Sequence, residues 1–311
     1  MDNQLLFPFE HQEILTKIEI AKQNGDYLQA ISLAEAFYQE YPSLANHYRL
    51  VEIYLAQQDE KNAWELLKAE QEAYCQSPVF CHQFVEIALK QHAFLLVREI
   101  AYQEFLTKEE QSSILGLLKT AEQYYQIFFQ SQLQEKKKNW YACLMGDTPI
   151  FTEQWQSLCH QLTSQTLLEI MQSYLPTASN QWMIARCMEL LHRLHFELLL
   201  TIPSCFGGQE TIDTKALSLP NDQPYWRQVR NYLATALAHN HIDYYELLIQ
   251  EIQVQMALSY PFTPPLLPEK YAQCLMHVYG ISDYSLDNDD CSEKEKQIFQ
   301  QIQMTFAQFQ F

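Results

Sequence analysis

Glycine occurs only six times in 311 residues, and the long stretches between prolines are filled with Leu, Ala, Gln, Glu and Lys. Such residues lose little side-chain freedom in a helix. No run alternates apolar and polar residues as a half-buried strand requires. The expectation is an all-α fold. Hydrophobic residues make up 48% and aromatics 13% of the chain, which is enough for a continuous core in one large or two modest domains. Charged residues are only 19%, so uncharged polar groups, glutamine above all, must cover much of the surface.

A repeat organises the first third. Gly25-Asp26-Tyr27-Leu28-Gln29-Ala30 is followed by Leu33, Ala34, Phe37, Tyr41 and Pro42: a turn, a small residue where two helices cross, a large apolar residue and a closing proline. The pattern returns 33 residues later at Ala63, within Gln58-Asp59-Glu60-Lys61-Asn62-Ala63-Trp64-Glu65-Leu66-Leu67, and 34 residues after that at Val97, within Phe94 to Ala101. With this period, residues 11 to 106 resemble a tetratricopeptide repeat (TPR-like) protein. Unit one has Ile18 where that family prefers a small residue, unit two lacks the turn glycine and closes late at Pro78, and unit three has Val97 for the crossing alanine. The resemblance implies a TPR-like α-α superhelix, a right-handed solenoid whose concave groove binds a protein or peptide.

Ser77-Pro78 reads as a helix start, with proline at the first helical position. Thr107 and Glu110 form a capping box ahead of a long helix to about Lys138. That helix ends the solenoid, because Ser131 and Glu135 fall where a fourth unit would place a small and a large apolar residue. The expected division is residues 1 to 140, three hairpins and a terminating helix, and residues 150 to 311, a helical C-terminal domain, with 139 to 152 as the connection. Helices in the second part are expected near 153–174, 180–200, 225–239, 242–258, 267–279 and 293–310. The pair across His239-Asn240-His241 has hairpin proportions. In the last helix, Ser292 and Glu295 offer a capping box, and Ile298, Phe299, Ile302, Phe306 and Phe309 form one stripe, read as a helix docked on the core.

The net charge of −18 is shared, 21 acids against 12 bases up to residue 150 and 17 against 8 beyond it. Nucleic-acid and anionic-membrane binding begin with clustered Lys and Arg, so neither partner is expected. The one basic run, Lys136 to Lys138, reads as a solvated helix end. Residues Met1 to Glu10 carry no Lys or Arg, and no apolar stretch approaches the roughly 18 residues of a membrane span. Eight cysteines are scattered without a Cys-x-x-Cys pair, as expected for reduced thiols in a cytoplasmic protein.

Catalytic and metal signatures are weak. His192 and His195 lie three apart near Cys187 and Glu189, and His239 and His241 precede Asp243, but neither group has the pairing and ligand number of a zinc site. Asp287-Asn288-Asp289-Asp290 lacks the glycine and the distal glutamate of a calcium loop. No Gly-x-Ser-x-Gly elbow occurs, Cys81 and His82 are helix neighbours pointing about 100° apart, and Gly207-Gly208 has no phosphate-loop lysine. No cofactor, no metal and no enzymatic activity are expected. The binding reading has a positive clue: eleven residues before each crossing position stand Glu19, Glu52 and Glu86, beside a column of Leu15, Tyr48 and His82. An acidic stripe with apolar neighbours suits a peptide carrying basic residues and an apolar anchor. Two other classes stay open: a helical enzyme or small-ligand receptor with a site near His192, His195 and Trp226, and a structural assembly subunit.

Overall fold

The computed structural model describes residues 9–146, 150–237, 242–281 and 293–307. The described residues are overwhelmingly helical, with sixteen α-helices and one two-stranded sheet, so the all-α expectation holds at that level. The chain divides into two compact units, Met1–Gln123 and Tyr124–Phe311.

In the first unit, α1 (Phe9–Gln23) and α2 (Tyr27–Glu40), α3 (Leu44–Ala56) and α4 (Glu60–Ala69), and α6 (Pro78–Lys90) and α7 (Phe94–Ala101) are consecutive antiparallel neighbours, with α2 also packed on α3. The turn inside each pair is built alike. Gly25, Gln58 and His92 adopt φ of 76°, 64° and 56°, and the following N–H groups of Asp26, Asp59 and Ala93 reach back to the carbonyls of Ala21, Tyr54 and Ala88 at 2.9 Å. This left-handed helix ending satisfies carbonyls that the helix leaves open. Unit two therefore makes the turn with glutamine where glycine was missed. Asp26 and Asp59 then cap the next helix, each accepting an N–H at 3.1 Å. The crossing residues Ala30, Ala63 and Val97 are fully buried. A short helix, α5 (Gln71–Cys75), lies between α4 and α6 and was not anticipated. Pro78 does open α6, although the Ser77 hydroxyl makes no capping bond. The Thr107–Glu110 box forms in both directions, at 2.8 and 3.2 Å.

The long helix expected to reach Lys138 is two helices, α8 (Lys108–Phe128) and α9 (Gln130–Met145). Phe129, at φ −122° and ψ 32°, breaks the spiral while stacking on Tyr125 at 4.5 Å. The break resets the helical phase: an unbroken helix would carry the buried stripe of Ile114, Leu118 and Tyr125 on to Gln132 and Lys136, whereas the new phase buries Leu133, Trp140 and Leu144. Residues 139–145 are consequently helix, not connection. Lys136 to Lys138 lie inside α9, with Lys136 and Lys137 half-buried and Lys137 paired to Glu169, so they are not a solvated end.

The helix expected over 153–174 is likewise divided, into α10 (Thr152–Cys159) and α11 (Ser164–Tyr174). Gln161 at φ 58° ends the first, and the buried Thr163 caps the second through the Thr166 N–H at 3.2 Å. Next, α12 (Gln181–Arg193) stops short of residue 200, because His195 turns left-handed at φ 51° and the Phe196 N–H returns to the Leu191 carbonyl. Strands β1 (Leu199–Pro203) and β2 (Gln209–Asp213) pair antiparallel, with Thr201 opposite Thr211, and Gly207 and Gly208 take positive φ between them. The strand pattern was illegible because Leu199, whose side chain is exposed, is apolar and masks the alternation of buried Leu200 and Ile202. Helices α13 (Pro224–Leu237), α14 (Ile242–Ser259), α15 (Pro268–Val278) and α16 (Glu293–Ala307) complete the unit. Trp226, Tyr271, Phe299, Ile302 and Phe306 share their core, with Ile298 packed against it. The last helix thus docks by its apolar stripe; Ser292 and Phe309 lie outside the described residues.

Candidate functional site

On α3, His47, Tyr48, Val51 and Glu52 fall at spacings that put Tyr48 and Glu52 on one face and His47 and Val51 beside them. Val51 and His47 are buried, while Tyr48 and Glu52 are half-exposed. Helix α5 contributes Tyr74, which is fully buried and meets His47 Nδ1 through its hydroxyl at 2.9 Å. From α6, Phe80 places its ring 5.9 Å from both Tyr48 and Tyr74, and Tyr48 and Tyr74 stand 6.3 Å apart, all edge to face. Such geometry sets the positive edge of one ring against the negative face of the next. Tyr48 is thereby fixed by two rings while part of its own surface remains in solvent.

Acids surround this cluster. Burial raises the Tyr48 phenol above its ordinary value, and the carboxylates of Glu52 and Glu86 raise it further. Tyr74 is also raised by burial, with Tyr48, Tyr38, Glu70 and Glu52 adding to it. Burial lowers His47, against the pull of Glu70. Both phenols therefore stay protonated near neutrality, and the charge here is carried by the acids.

Of the six groove residues, Glu52 and Glu86 are the two whose carboxylates act on the Tyr48 phenol. Glu19 faces Lys22 at 3.6 Å along α1, and Leu15 packs against the first hairpin's core. His82 is near Glu110, whose carboxyl it helps hold below the usual range after the Thr107 hydrogen bonds. Tyr74, Phe80 and Glu70 were missed. Tyr74 lies 33 residues after Tyr41, the repeat distance, and Tyr41 likewise packs on a histidine, His11, at 3.8 Å; that periodicity was the available signal.

Trp226 is fully buried in the core of the second unit. His192 and His195 stack at 6.5 Å. Burial lowers the His192 pKa, with His195 adding to that and Glu189 opposing it. Among the described residues, no three or more of His, Cys, Asp and Glu converge as metal ligands, and no helix is long and apolar enough to cross a membrane. His239, His241 and the Asp287–Asp290 segment lie outside the described residues. Cys81 has Cys75 as its thiol partner, an arrangement that raises the Cys75 thiol. Gly207-Gly208 is the β-hairpin turn.

No protein-family model, curated protein or solved structure matches this chain.

Proposed function

We propose that the first unit is a TPR-like right-handed solenoid that binds a protein or peptide bearing basic residues, without catalysis, and that it works in a reducing cytoplasm. The observation that carries this reading is the convergence on Tyr48 of Glu52 and Glu86, two carboxylates one repeat apart. An aromatic face flanked by acids suits Lys or Arg: the ring quadrupole attracts the cation, the carboxylates set orientation, and ring burial adds affinity. The recurring left-handed turns at Gly25, Gln58 and His92 and the buried Ala30, Ala63 and Val97 support the repeat reading. Glu19 extends the acidic column by one repeat, and Leu15 and His82 flank it.

Calorimetric titration with short peptides that place several Lys or Arg around one leucine tests the proposal. Such peptides are expected to bind, more weakly as salt rises, and their Glu-substituted counterparts to fail. Changing Glu19, Glu52 and Glu86 together to Gln should weaken binding by roughly threefold to a hundredfold, at 0.2–1 kcal/mol per contact. A matched change of the exposed Glu35, Lys68 and Glu104 to Gln should leave it unchanged. Equal binding of basic and acidic peptides, or an unaffected groove variant, would overturn the reading.

A further inference from the structure

In the second unit, a cleft of about 200 Å³ is lined by Thr152 and Trp155 of α10 and by Arg186, Glu189, Leu190 and Arg193 of α12. The four α12 residues stand at i, i+3, i+4 and i+7, one face of a helix whose other face buries Ile184, Cys187, Met188 and Leu191 completely. The cleft wall is therefore rigidly mounted. Its floor is fixed as well: Trp140, fully buried, donates its indole N–H to the Leu158 carbonyl at 3.1 Å and holds Trp155 edge-on at 5.3 Å. Arg186 lies over the Trp155 ring at 5.4 Å, and its Nη1, though buried, has no hydrogen-bond partner among the described residues.

A guanidinium consumed by neighbouring carboxylates is a structural tie. Arg186 lies instead against a ring, a contact that leaves the Nη1 donor unused, and a buried donor left unpaired costs stability that a hydrogen-bond acceptor restores. Positive charge is concentrated here in a chain of net charge −18. Arg186, Arg193 and Lys136 all act on the thiol of Cys159, partly offsetting the burial that pushes it up to about 12. Among the described residues that line the cleft, Arg186 and Arg193 are the cations and Glu189 is the acid. The volume is below the roughly 300 Å³ at which pockets for drug-sized ligands begin, so the cleft suits a single compact group.

The geometry points to a binding site for a small oxyanion, a phosphate or carboxylate, gripped by the Arg186 guanidinium with Arg193 and the Thr152 hydroxyl beside it. Planar guanidinium forks match such oxygens in pairs. The site belongs to the second unit, and nothing in the peptide-groove proposal requires it.

Tryptophan fluorescence of the full chain, titrated with inorganic phosphate, acetate and phenyl phosphate against sodium chloride at equal ionic strength, tests the assignment. A saturable change with phosphate or acetate, absent with chloride, is expected. Tighter binding of phenyl phosphate than of phosphate would identify the group as the end of a larger ligand, and equal binding would identify the free ion; both sustain the site. Arg186→Gln should weaken binding at least tenfold, as loss of one hydrogen bond to a charged group implies. Arg186→Lys, which keeps the charge and the stem but not the fork, should weaken it several-fold at an unchanged melting temperature. Glu189→Gln should tighten it by removing repulsion. No saturation beyond the chloride control, equal affinity in both Arg186 variants, or weaker binding by Glu189→Gln would each overturn the proposal.

Discussion

Two buried side chains in the first unit show how single atoms set stability. His47 is almost wholly buried, and its Nδ1 depends on the Tyr74 hydroxyl at 2.9 Å. Tyr74→Phe is expected to cost about 1–3 kcal/mol, since the ring contacts survive but a buried nitrogen loses its partner; urea denaturation measures this. The same histidine makes stability depend on pH. Its folded pKa lies below the ordinary 6.5 because burial disfavours the imidazolium, with Glu70 opposing. Between the folded and unfolded values the unfolded chain binds more protons, so stability is complete above about 6.5 and is lost as pH falls through the folded value. Denaturation midpoints should therefore drop between pH 7 and pH 5, and His47→Gln should remove part of that drop. A slope unchanged by the substitution would assign the effect elsewhere, with His92 and His192, also lowered by burial, the next groups to test. The pairing of His47 with Tyr74 was not legible, because only the unanticipated α5 carries Tyr74 to α3.

At the scale of elements, the helical pairs depend on their turns. Gln58 and His92 occupy the left-handed region at φ 64° and 56°, where Gly25 sits at 76°. A side chain there costs about 1–2 kcal/mol, while glycine brings its own entropic penalty of about 0.5–1 kcal/mol in the unfolded chain. Gln58→Gly should accordingly stabilise by about 0.5–1 kcal/mol. Gly25→Ala should destabilise by about 1 kcal/mol, and through conformation alone, since an added Cβ would meet nothing within 4 Å. Thermal melts of the two variants should shift in opposite directions. Helix boundaries were legible where a residue carries its own signal, as with the Thr107–Glu110 box and Pro78. They were not at Phe129, where composition favours helix on both sides and only the demand to bury Leu133, Trp140 and Leu144 breaks it.

For the whole molecule, the two units carry separate cores, Ile18, Ala30 and Phe37 among the residues of one and Trp226, Tyr271 and Phe306 of the other. Units with their own cores unfold with some independence, and a chain containing two such units departs from two-state behaviour. Scanning calorimetry should show a calorimetric enthalpy larger than the van't Hoff value. Ala63→Leu, which inserts volume at a fully buried helix crossing, should cost about 1–3 kcal/mol and shift only the transition of the first unit. A single transition displaced as a whole would show the two cores to be coupled.

Helical class, the 33- to 34-residue spacing of the hairpins and the docking stripe of the last helix were determined by the sequence alone. Each rests on local propensity or on a periodicity that neighbouring residues repeat. The acidic column was also readable as a spacing, yet its three members have different surroundings. Glu52 and Glu86 share Tyr48, whereas Glu19 faces Lys22. Only the tertiary structure decided that, because the rings that hold Tyr48 come from α5 and α6, some thirty residues away in sequence. The β-hairpin and the Arg186 cleft belong to the same class. An exposed Leu199 hides the strand's alternation, and the six cleft residues are split between 152–155 and 186–193. Side chains so far apart along the chain acquire a common environment only when packing brings their helices together.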